Sequence, residues 1–336
     1  MPPIITVDSL VKDFHRPKRF DGPLGGLRTL LTRQSVTTRA VDNVSFTIDE
    51  GELVGYLGAN GAGKSTTIKM LSGILVPTSG TVKAGGLVPW ERREQNALQI
   101  GVVFGQRTQL WWDLPLADSL RLVAKLYRMD TARYTRNLER LVDLLDLASF
   151  MDRPVRQLSL GQRMRGDLAA AMIYEPRILY LDEPTVGLDV VAKEKTRQFV
   201  EEVNRDSGTT IILTTHDLAD VERLCKRIVF ISQGTVLYDG SVNELKRRFA
   251  PYRELVITLA PEETAEPTPT RLDLPGATVT AQDDARLTVR FDPDQVAVAD
   301  LIQAVLAQHA VSDISIVEPD LEGVVRQITE NGHLLS

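Results

Sequence analysis

The spacing of apolar residues predicts short strands that alternate with helices over most of the chain. Residues 178–181 and 211–213 are short, wholly apolar runs, typical of inner strands in a parallel sheet covered on both faces. A further strand, 52–57, leads directly into a glycine-rich loop. Apolar residues three and four positions apart predict helices at 116–127 and 134–147. This order predicts an α/β core with helices on both faces of the sheet.

The N-terminal residues follow a different pattern. Residues 4–14 alternate between apolar and polar side chains, which predicts an edge strand, and 40–48 resume the alternation. The insert between them, 15–39, contains prolines and glycines that interrupt regular structure. From Lys12 to Arg39 there are 7 basic and 2 acidic residues. The insert could lie against anionic lipid headgroups, where each basic residue contributes about 1 kcal/mol, or it could be a solvated loop.

The composition changes after residue 248, where we place a domain boundary between 1–248 and 249–336. The C-terminal part predicts a small α+β domain, with strands at 255–259, 278–280, 287–291 and 314–317 and helices at 296–307 and 321–328. Residues 250–336 include 5 basic and 15 acidic residues, a balance of −10. The whole chain carries −6, so residues 1–249 carry +4. An acidic domain argues against nucleic acid as its partner.

Composition places the chain among ordinary globular proteins, with 43% apolar and 25% charged residues. No apolar run approaches the roughly 18 residues that a membrane span needs, and the N-terminus does not have the pattern of a signal peptide. The single cysteine, Cys225, excludes internal disulfides and is expected to be a buried apolar residue. We therefore expect a protein in the cytosol or on the cytosolic face of a membrane.

The strongest chemical signal is the sequence GANGAGKST at 58–66, which fits G-x-x-x-x-G-K-[ST] between a predicted strand and a predicted helix. Such a loop turns its backbone N–H groups toward phosphate, and the helix adds its positive end. Lys64 is expected to reach the β- and γ-phosphates, and Ser65 to offer its hydroxyl to Mg²⁺. The predicted nucleotide-binding residues here are Gly58, Asn60, Gly61, Gly63, Lys64, Ser65 and Thr66.

Two carboxylates, Asp182 and Glu183, follow the apolar run 178–181. Successive strand residues point to opposite sides, so the two carboxylates have different tasks. We predict that Asp182 holds Mg²⁺, directly or through a water, and that Glu183 polarises the attacking water. This division suits phosphoryl transfer, in which positioning and charge do most of the work.

The sequence LSLGQ at 158–162 resembles the signature of ABC ATPases, usually Leu-Ser-Gly-Gly-Gln. Leu160 replaces the first glycine, whereas Ser159, Gly161 and Gln162, which in that family bear on the γ-phosphate, are kept. As a local feature, Ser159 is also a good helix N-cap.

The resemblance extends to further residues in the same order along the chain. Gln106 resembles the Q-loop glutamine, which ligates Mg²⁺, and Asp189 lies in a sequence similar to the D-loop, which lines the dimer seam. His216 resembles the switch histidine, which contacts the γ-phosphate and orients the catalytic glutamate. In the family an aromatic residue stacks on adenine, for which Phe14 is the best match and Phe20 an alternative.

The resemblance covers residues 4–248 and is closest to ATPase subunits of drug and antibiotic exporters, the daunorubicin-resistance and sodium-export type. It implies a P-loop NTPase core with an antiparallel β subdomain and an α-helical signature subdomain at 107–165. It also implies that ATP with Mg²⁺ is sandwiched between Lys64 of one copy and Ser159 of a second copy in a head-to-tail homodimer. The transported substrate would pass through one or two separate membrane permeases, with this chain on the cytosolic face.

Three implications remain open at this point. The adjacent Trp111 and Trp112 are expected to line the groove that receives a permease helix, or to pack inside the helical subdomain. The C-terminal domain would contact its twin and regulate the cycle. The alternative function is a non-transport ABC ATPase acting on a macromolecular complex, but the single cassette and the absence of sustained heptads disfavour it.

Overall fold

The computed structural model describes residues 2–17, 35–105, 107–249, 252–260, 276–283, 285–318 and 321–330. The chain divides into two compact units, Met1–Gly240 and Ser241–Ser336. This division lies a few residues before the predicted boundary at 248. The reason is helix 242–249, whose closest helical neighbour is helix 321–330.

Within unit 1, the described residues form strands and helices in the predicted alternation. The strands are β1 (Ile5–Pro17), β2 (Ser35–Ile48), β3 (Leu53–Leu57), β4 (Ser79–Ala84), β5 (Ile100–Phe104), β6 (Ile178–Asp182), β7 (Thr210–Thr215), β8 (Arg227–Ser232) and β9 (Thr235–Ser241). The helices are α1 (Lys64–Leu71), α2 (Arg93–Ala97), α3 (Leu116–Leu126), α4 (Thr131–Leu145), α5 (Leu160–Met172), α6 (Val190–Ser207) and α7 (Leu218–Leu224). Short 3₁₀ turns cover Ala148–Phe150 and Val155–Gln157.

The central sheet of unit 1 has the order β5-β6-β7-β3-β8-β9 among the described strands. The pairs β5–β6, β6–β7, β7–β3 and β3–β8 are parallel. Strands β6 and β7 are buried along their whole length, as expected for strands covered on both faces. Because parallel strands end at the same edge, the segments that follow β3, β5, β6 and β7 meet there.

A second, antiparallel sheet of unit 1 has the order β2-β1-β4 among the described strands. The prediction of an edge strand at 4–14 was therefore wrong, since β1 pairs with β2 on one side and with β4 on the other. The alternation of β1 reflects one face turned to the core, where Ile5, Val7 and Leu10 are buried. Strand β4, which the apolar pattern did not reveal, covers its second edge.

Caps fix the starts of the helices that carry sequence motifs. Ser159 precedes α5 and forms a capping box with Gln162, in which each side chain bonds the other's backbone N–H. Asp189 precedes α6, and its carboxylate accepts from Ala192 N at 2.8 Å. Short polar residues before apolar helical runs therefore set both boundaries.

Unit 2 is an α+β arrangement with its own core. Its described elements are α8 (Val242–Phe249), β10 (Arg253–Leu259), β11 (Ala277–Gln282), β12 (Arg286–Phe291), α9 (Val298–Leu306), β13 (Val311–Val317) and α10 (Leu321–Glu330). The antiparallel sheet has the order β11-β12-β10-β13. Apolar residues of β10, β12 and α9 form the core, including Ile257, Val289 and Leu301.

In the parts of the chain that the structure describes, no helix is both long enough and apolar enough to cross a bilayer. Cys225 is buried at the end of α7, and burial raises the pKa of its thiol far above its usual value. The cysteine is therefore a buried packing residue, as predicted.

Candidate nucleotide site

The segments after β3, β5 and β6 surround a cavity of about 530 Å³ at the carboxyl edge of the central sheet. The residues that line it are Ala40, Asn60, Gly61, Gly63, Lys64, Ser65, Thr66, Lys69, Ile74, Phe104, Gly105, Arg107, Asp182 and Glu183. Most of the predicted phosphate-loop residues and both predicted carboxylates are therefore brought to one place.

The loop at 58–66 has the geometry of an anion site. Gly63 has φ 107°, and a Cβ there would overlap the carbonyl oxygen of Ala40, so a side chain is excluded. Helix α1 begins at the next residue, and the first N–H groups of a helix have no partner within the helix. These groups and the helix dipole favour a bound phosphate.

The side chain of Lys64 contacts the backbone of the phosphate loop. Its Nζ donates to the carbonyl oxygens of Gly58 at 2.6 Å and Ala59 at 3.2 Å. Burial lowers the pKa of Lys64, and the nearby charges of Glu183 and Asp182 oppose that shift. The lysine side chain is thus folded back on the loop, with the two carboxylates nearby.

The oxygens around Asp182 fit a small divalent cation. Ser65 Oγ donates to Asp182 Oδ1 at 3.1 Å, and Thr214 Oγ1 donates to the same oxygen at 2.6 Å. Carboxylate and hydroxyl oxygens are the ligand types of Mg²⁺, which usually keeps waters and phosphate oxygens as its other ligands. Gln106, the third predicted ligand, lies outside the described residues.

Glu183 and His216 meet at the ends of β6 and β7. His216 Nδ1 lies 3.3 Å from Glu183 Oε1. Glu183 has φ 56°, a left-handed conformation that is strained for a residue with a side chain. Its backbone N–H donates to Thr214 O at 2.9 Å, which helps to hold the strained residue. The catalytic pair predicted from sequence is therefore in contact.

The turn after β5 is pressed against the two carboxylate-bearing residues. Gly105 N donates to Asp182 O at 2.8 Å, and a Cβ on Gly105 would overlap Glu183 O. Arg107 N donates to Phe104 O at 3.0 Å, which closes the turn. Only glycine permits this approach, which makes Gly105 a site residue that the motif analysis missed.

A buried network ties α7, which follows His216, to the rest of the site. Asp220 is fully buried and accepts from Thr185 Oγ1 and from Arg197 Nε, both at 2.6 Å. Nearby, Lys193 Nζ donates to Asp217 at 2.9 Å. Thr185 follows Glu183 closely, and Lys193 and Arg197 lie on α6, so the network joins the segments after β6 and β7. The sequence analysis did not identify Asp220.

The residues of the signature sequence lie apart from this cavity. Among the described residues, Ser159, Gly161 and Gln162 do not line it. Gly161 packs so closely on α6 that a Cβ would lie 2.8 Å from the Cβ of Ala192. The Leu160 side chain would lie 3.1 Å from a Cβ on Gly187, so the leucine that departs from the family pattern rests on the predicted D-loop.

Phe14, predicted to stack on adenine, does not line the cavity either. It lies in β1 opposite Thr38, with Lys12 Nζ 5.4 Å from its ring centroid. The alternative, Phe20, and most of the basic insert at 15–39 lie outside the described residues.

Comparison with known proteins identifies the family. The ABC transporter family model matches residues 41–186. The ABC transporter ATP-binding protein NatA of Bacillus subtilis is 33% identical over 207 residues, 62% of this chain and 84% of that protein. The daunorubicin resistance ATP-binding protein DrrA3 of Streptomyces coeruleorubidus is 31% identical over 293 residues, 87% of this chain and 91% of that protein.

A solved structure supports the same assignment. The dimeric structure of a post-hydrolysis state of an ATP-binding cassette bound to ADP and Pi aligns with a TM-score of 0.58 and 26% identity, over 71% of this chain and 98% of that chain. The predicted fold and the predicted ATPase activity are thereby confirmed. The phosphate loop, the paired carboxylates and these relatives together show that the chain belongs to the ABC transporter family, as an ATP-binding subunit that hydrolyses ATP.

Proposed function

We propose that this chain works as a head-to-tail homodimer in which each ATP lies between Lys64 of one copy and Ser159 of the other. The observation that carries the proposal is that the phosphate-loop cavity and the signature sequence lie in different places within one chain. The cavity holds Lys64 and both carboxylates, whereas Ser159 lies outside it at the start of α5. A second copy in the reverse orientation brings the two halves together.

Within each site, the residues of this chain have distinct tasks. Lys64 binds the β- and γ-phosphates. Ser65 and Asp182 would hold Mg²⁺, which would neutralise phosphate charge. Gln106 is the further proposed Mg²⁺ ligand. Glu183 polarises the attacking water, and His216, 3.3 Å away, orients Glu183 and contacts the γ-phosphate.

The dimer is tested with Glu183→Gln, which keeps the shape of the side chain but removes the charge that polarises water. With Mg-ATP at high protein concentration, sedimentation should show a dimer that ADP does not produce. The variant Glu183→Gln/Ser159→Arg should stay monomeric under the same conditions, because its large side chain blocks the seam while the cavity remains intact. A monomeric Glu183→Gln protein that nevertheless binds ATP would contradict the proposal.

We further propose that the exposed tryptophans contact a separate membrane permease. Trp111 and Trp112 have exposed fractions of 38% and 50%, large for tryptophan side chains. The preceding backbone is held by Asp167 of α5, which accepts from Gln109 N and Thr108 Oγ1, each at 2.9 Å. A partner that presses on these rings would therefore act directly on the helix that begins with the signature sequence.

The permease contact is tested by recovering tagged Glu183→Gln protein from native membranes with Mg-ATP. Polytopic membrane proteins near one-to-one support the proposal, and recovery should fall when Trp111 and Trp112 are both changed to Ala. Recovery of ribosomes or DNA-bound proteins would favour a non-transport ATPase instead. We propose export as the direction of transport, because relatives are described as drug-resistance and Nod factor export proteins. If the chain binds a membrane permease, it lies on the cytosolic face of that membrane.

A further inference from the structure

The charge of the cavity has contributions that the phosphate-loop motif does not explain. Among the described residues, the charged side chains that line it are Lys64, Lys69, Arg107, Asp182 and Glu183. Counted as side chains alone, Lys64 faces the two carboxylates Asp182 and Glu183 with a balance of −1. Lys69 and Arg107 change the balance to +1. One or both of these two cations therefore prepare the cavity for a polyanion.

Lys69 and Arg107 lie at different places in the cavity. Lys69 lies in the last turn of α1, five residues beyond Lys64, and therefore about 7.5 Å further along the helix axis. Arg107 follows the turn after β5, whose Gly105 touches the backbone of Asp182 and Glu183. Arg107 thus enters the cavity on the side of the carboxylates, where the γ-phosphate and the attacking water would meet.

The guanidinium of Arg107 is also available for a ligand. In the described part of the chain it has no ion-pair partner, and the residue is exposed at the cavity. Arg197 and Arg227, by contrast, are held by carboxylates, Asp220 in the first case and Glu52 and Asp239 in the second. The backbone of Arg107 is nevertheless fixed, because its N–H closes the turn on Phe104.

We propose that Arg107 binds the terminal phosphate of the nucleoside triphosphate, as a cation supplied by the same chain that supplies Lys64. The planar guanidinium can donate two parallel hydrogen bonds to phosphate oxygens, which a lysine cannot do. Negative charge on the transferred phosphoryl group and the leaving oxygens is what such a group stabilises during hydrolysis. Arg107 therefore discriminates triphosphate from diphosphate. This inference rests on the proposed nucleotide site.

The test compares Arg107→Ala and Arg107→Lys with Arg205→Ala, which removes an exposed arginine that does not line the cavity. Binding of ATP and ADP with Mg²⁺ is measured by calorimetry in the Glu183→Gln background, so that ATP is not consumed. We expect Arg107→Ala to weaken ATP binding about tenfold, as for loss of a charge-assisted hydrogen bond, and ADP binding by less than about twofold. The ATP affinity of Arg107→Lys should lie between those of Arg107→Ala and the parent, and the affinities of Arg205→Ala should equal those of the parent.

Hydrolysis provides the second readout, in the chain with Glu183 intact. Arg107→Ala should lower kcat/KM for ATP about tenfold or more, with partial recovery in Arg107→Lys. Equal ATP affinity in Arg107→Ala and the parent, or equal losses of affinity for ATP and ADP, would overturn the inference. It would also be overturned if Arg107→Ala bound nucleotide normally but no longer recovered the permease from native membranes. If the parent itself does not bind ATP, the proposed function fails rather than the role of Arg107.

Discussion

At the scale of single residues, Asp167 is a buried carboxyl group whose ionisation affects stability. Burial raises its pKa to about 6, although hydrogen bonds from Gln109 and Thr108 and the charge of Arg163 pull it down. The carboxylate holds the backbone just before the exposed tryptophans to α5. The folded chain therefore retains a proton on Asp167 over a pH range in which the unfolded chain has lost it.

The sign of the resulting pH dependence follows from linkage. Because the folded pKa is raised from 3.8 to about 6, this residue's contribution to stability falls as pH rises through that range. Asp167→Asn can accept the same hydrogen bonds without ionising. We expect its free energy of unfolding to gain about 1–2 kcal/mol relative to the parent between pH 4.5 and 7. Urea unfolding at several pH values measures this difference in the free energy of unfolding. If that free energy varied with pH in the same way in both proteins, the prediction would be wrong.

Asp167→Ala is the matched contrast, since it removes the acceptor altogether. It leaves Gln109 N and Thr108 Oγ1 without their partner. We expect a loss of about 1–3 kcal/mol at neutral pH, the cost of an unsatisfied buried donor. Thermal unfolding of the Asn and Ala variants side by side separates the hydrogen bonds from the charge. Equal stability of the two variants would show that the hydrogen bonds contribute nothing.

Gly105 gives a prediction that depends on shape alone. A methyl group there would overlap the backbone oxygen of Glu183, so the turn or the end of β6 must move. Gly105→Ala should therefore destabilise the protein by about 1–3 kcal/mol and reduce ATP hydrolysis at saturating ATP. Gly240→Ala is the control, because its closest neighbour is the hydroxyl end of the Tyr238 side chain. Normal hydrolysis by Gly105→Ala would contradict the close approach.

At the scale of elements, the position of α7 depends on α6. Asp220 is fully buried, and its partner Arg197 is largely so, whereas the ion pair of Arg223 with Glu194 connects the same two helices at the surface. Removing one member of a buried ion pair leaves the other charge buried without a partner, which is costly, whereas surface ion pairs contribute little to stability. The buried pair should therefore fix His216 relative to Glu183.

Asp220→Ala should lower the free energy of unfolding by about 2–4 kcal/mol, because Arg197 and Thr185 lose their buried acceptor. Hydrolysis should fall as well, since α7 follows His216 directly. Glu194→Gln should leave both properties nearly unchanged. Thermal unfolding and steady-state hydrolysis measure the two effects. If both variants behave alike, the buried network does not position the histidine.

At the scale of the whole molecule, the two units have separate cores, and all predicted site residues lie in unit 1. We propose that unit 2 contacts its twin and regulates the cycle through its apolar strands, because acidic surfaces would repel each other. A chain ending at Gly240 should then fold and bind ATP with unchanged affinity but form the Glu183→Gln dimer less readily. Calorimetry and sedimentation check this, and an unfolded fragment would show that unit 1 depends on unit 2.

Much of the fold could be predicted because its signals are local. The run 178–181, the capping residues Ser159 and Asp189 and the loop at 58–66 each act on backbone within a few residues. Their order along the chain also predicted the parallel sheet, whose shared edge brings Lys64, Asp182 and Glu183 together. The α+β character of the C-terminal part followed from alternation and helical spacing in the same way.

By itself, then, the sequence determined many of the elements, the phosphate loop, the paired carboxylates and the family. Only the tertiary structure decided which distant segments touch. It placed β1 between β2 and β4, Arg107 in the cavity, and Asp220 against Thr185 and Arg197. The physical reason is that strand partners and buried ion pairs are chosen by packing across long stretches of chain, and local periodicity carries no information about such pairings.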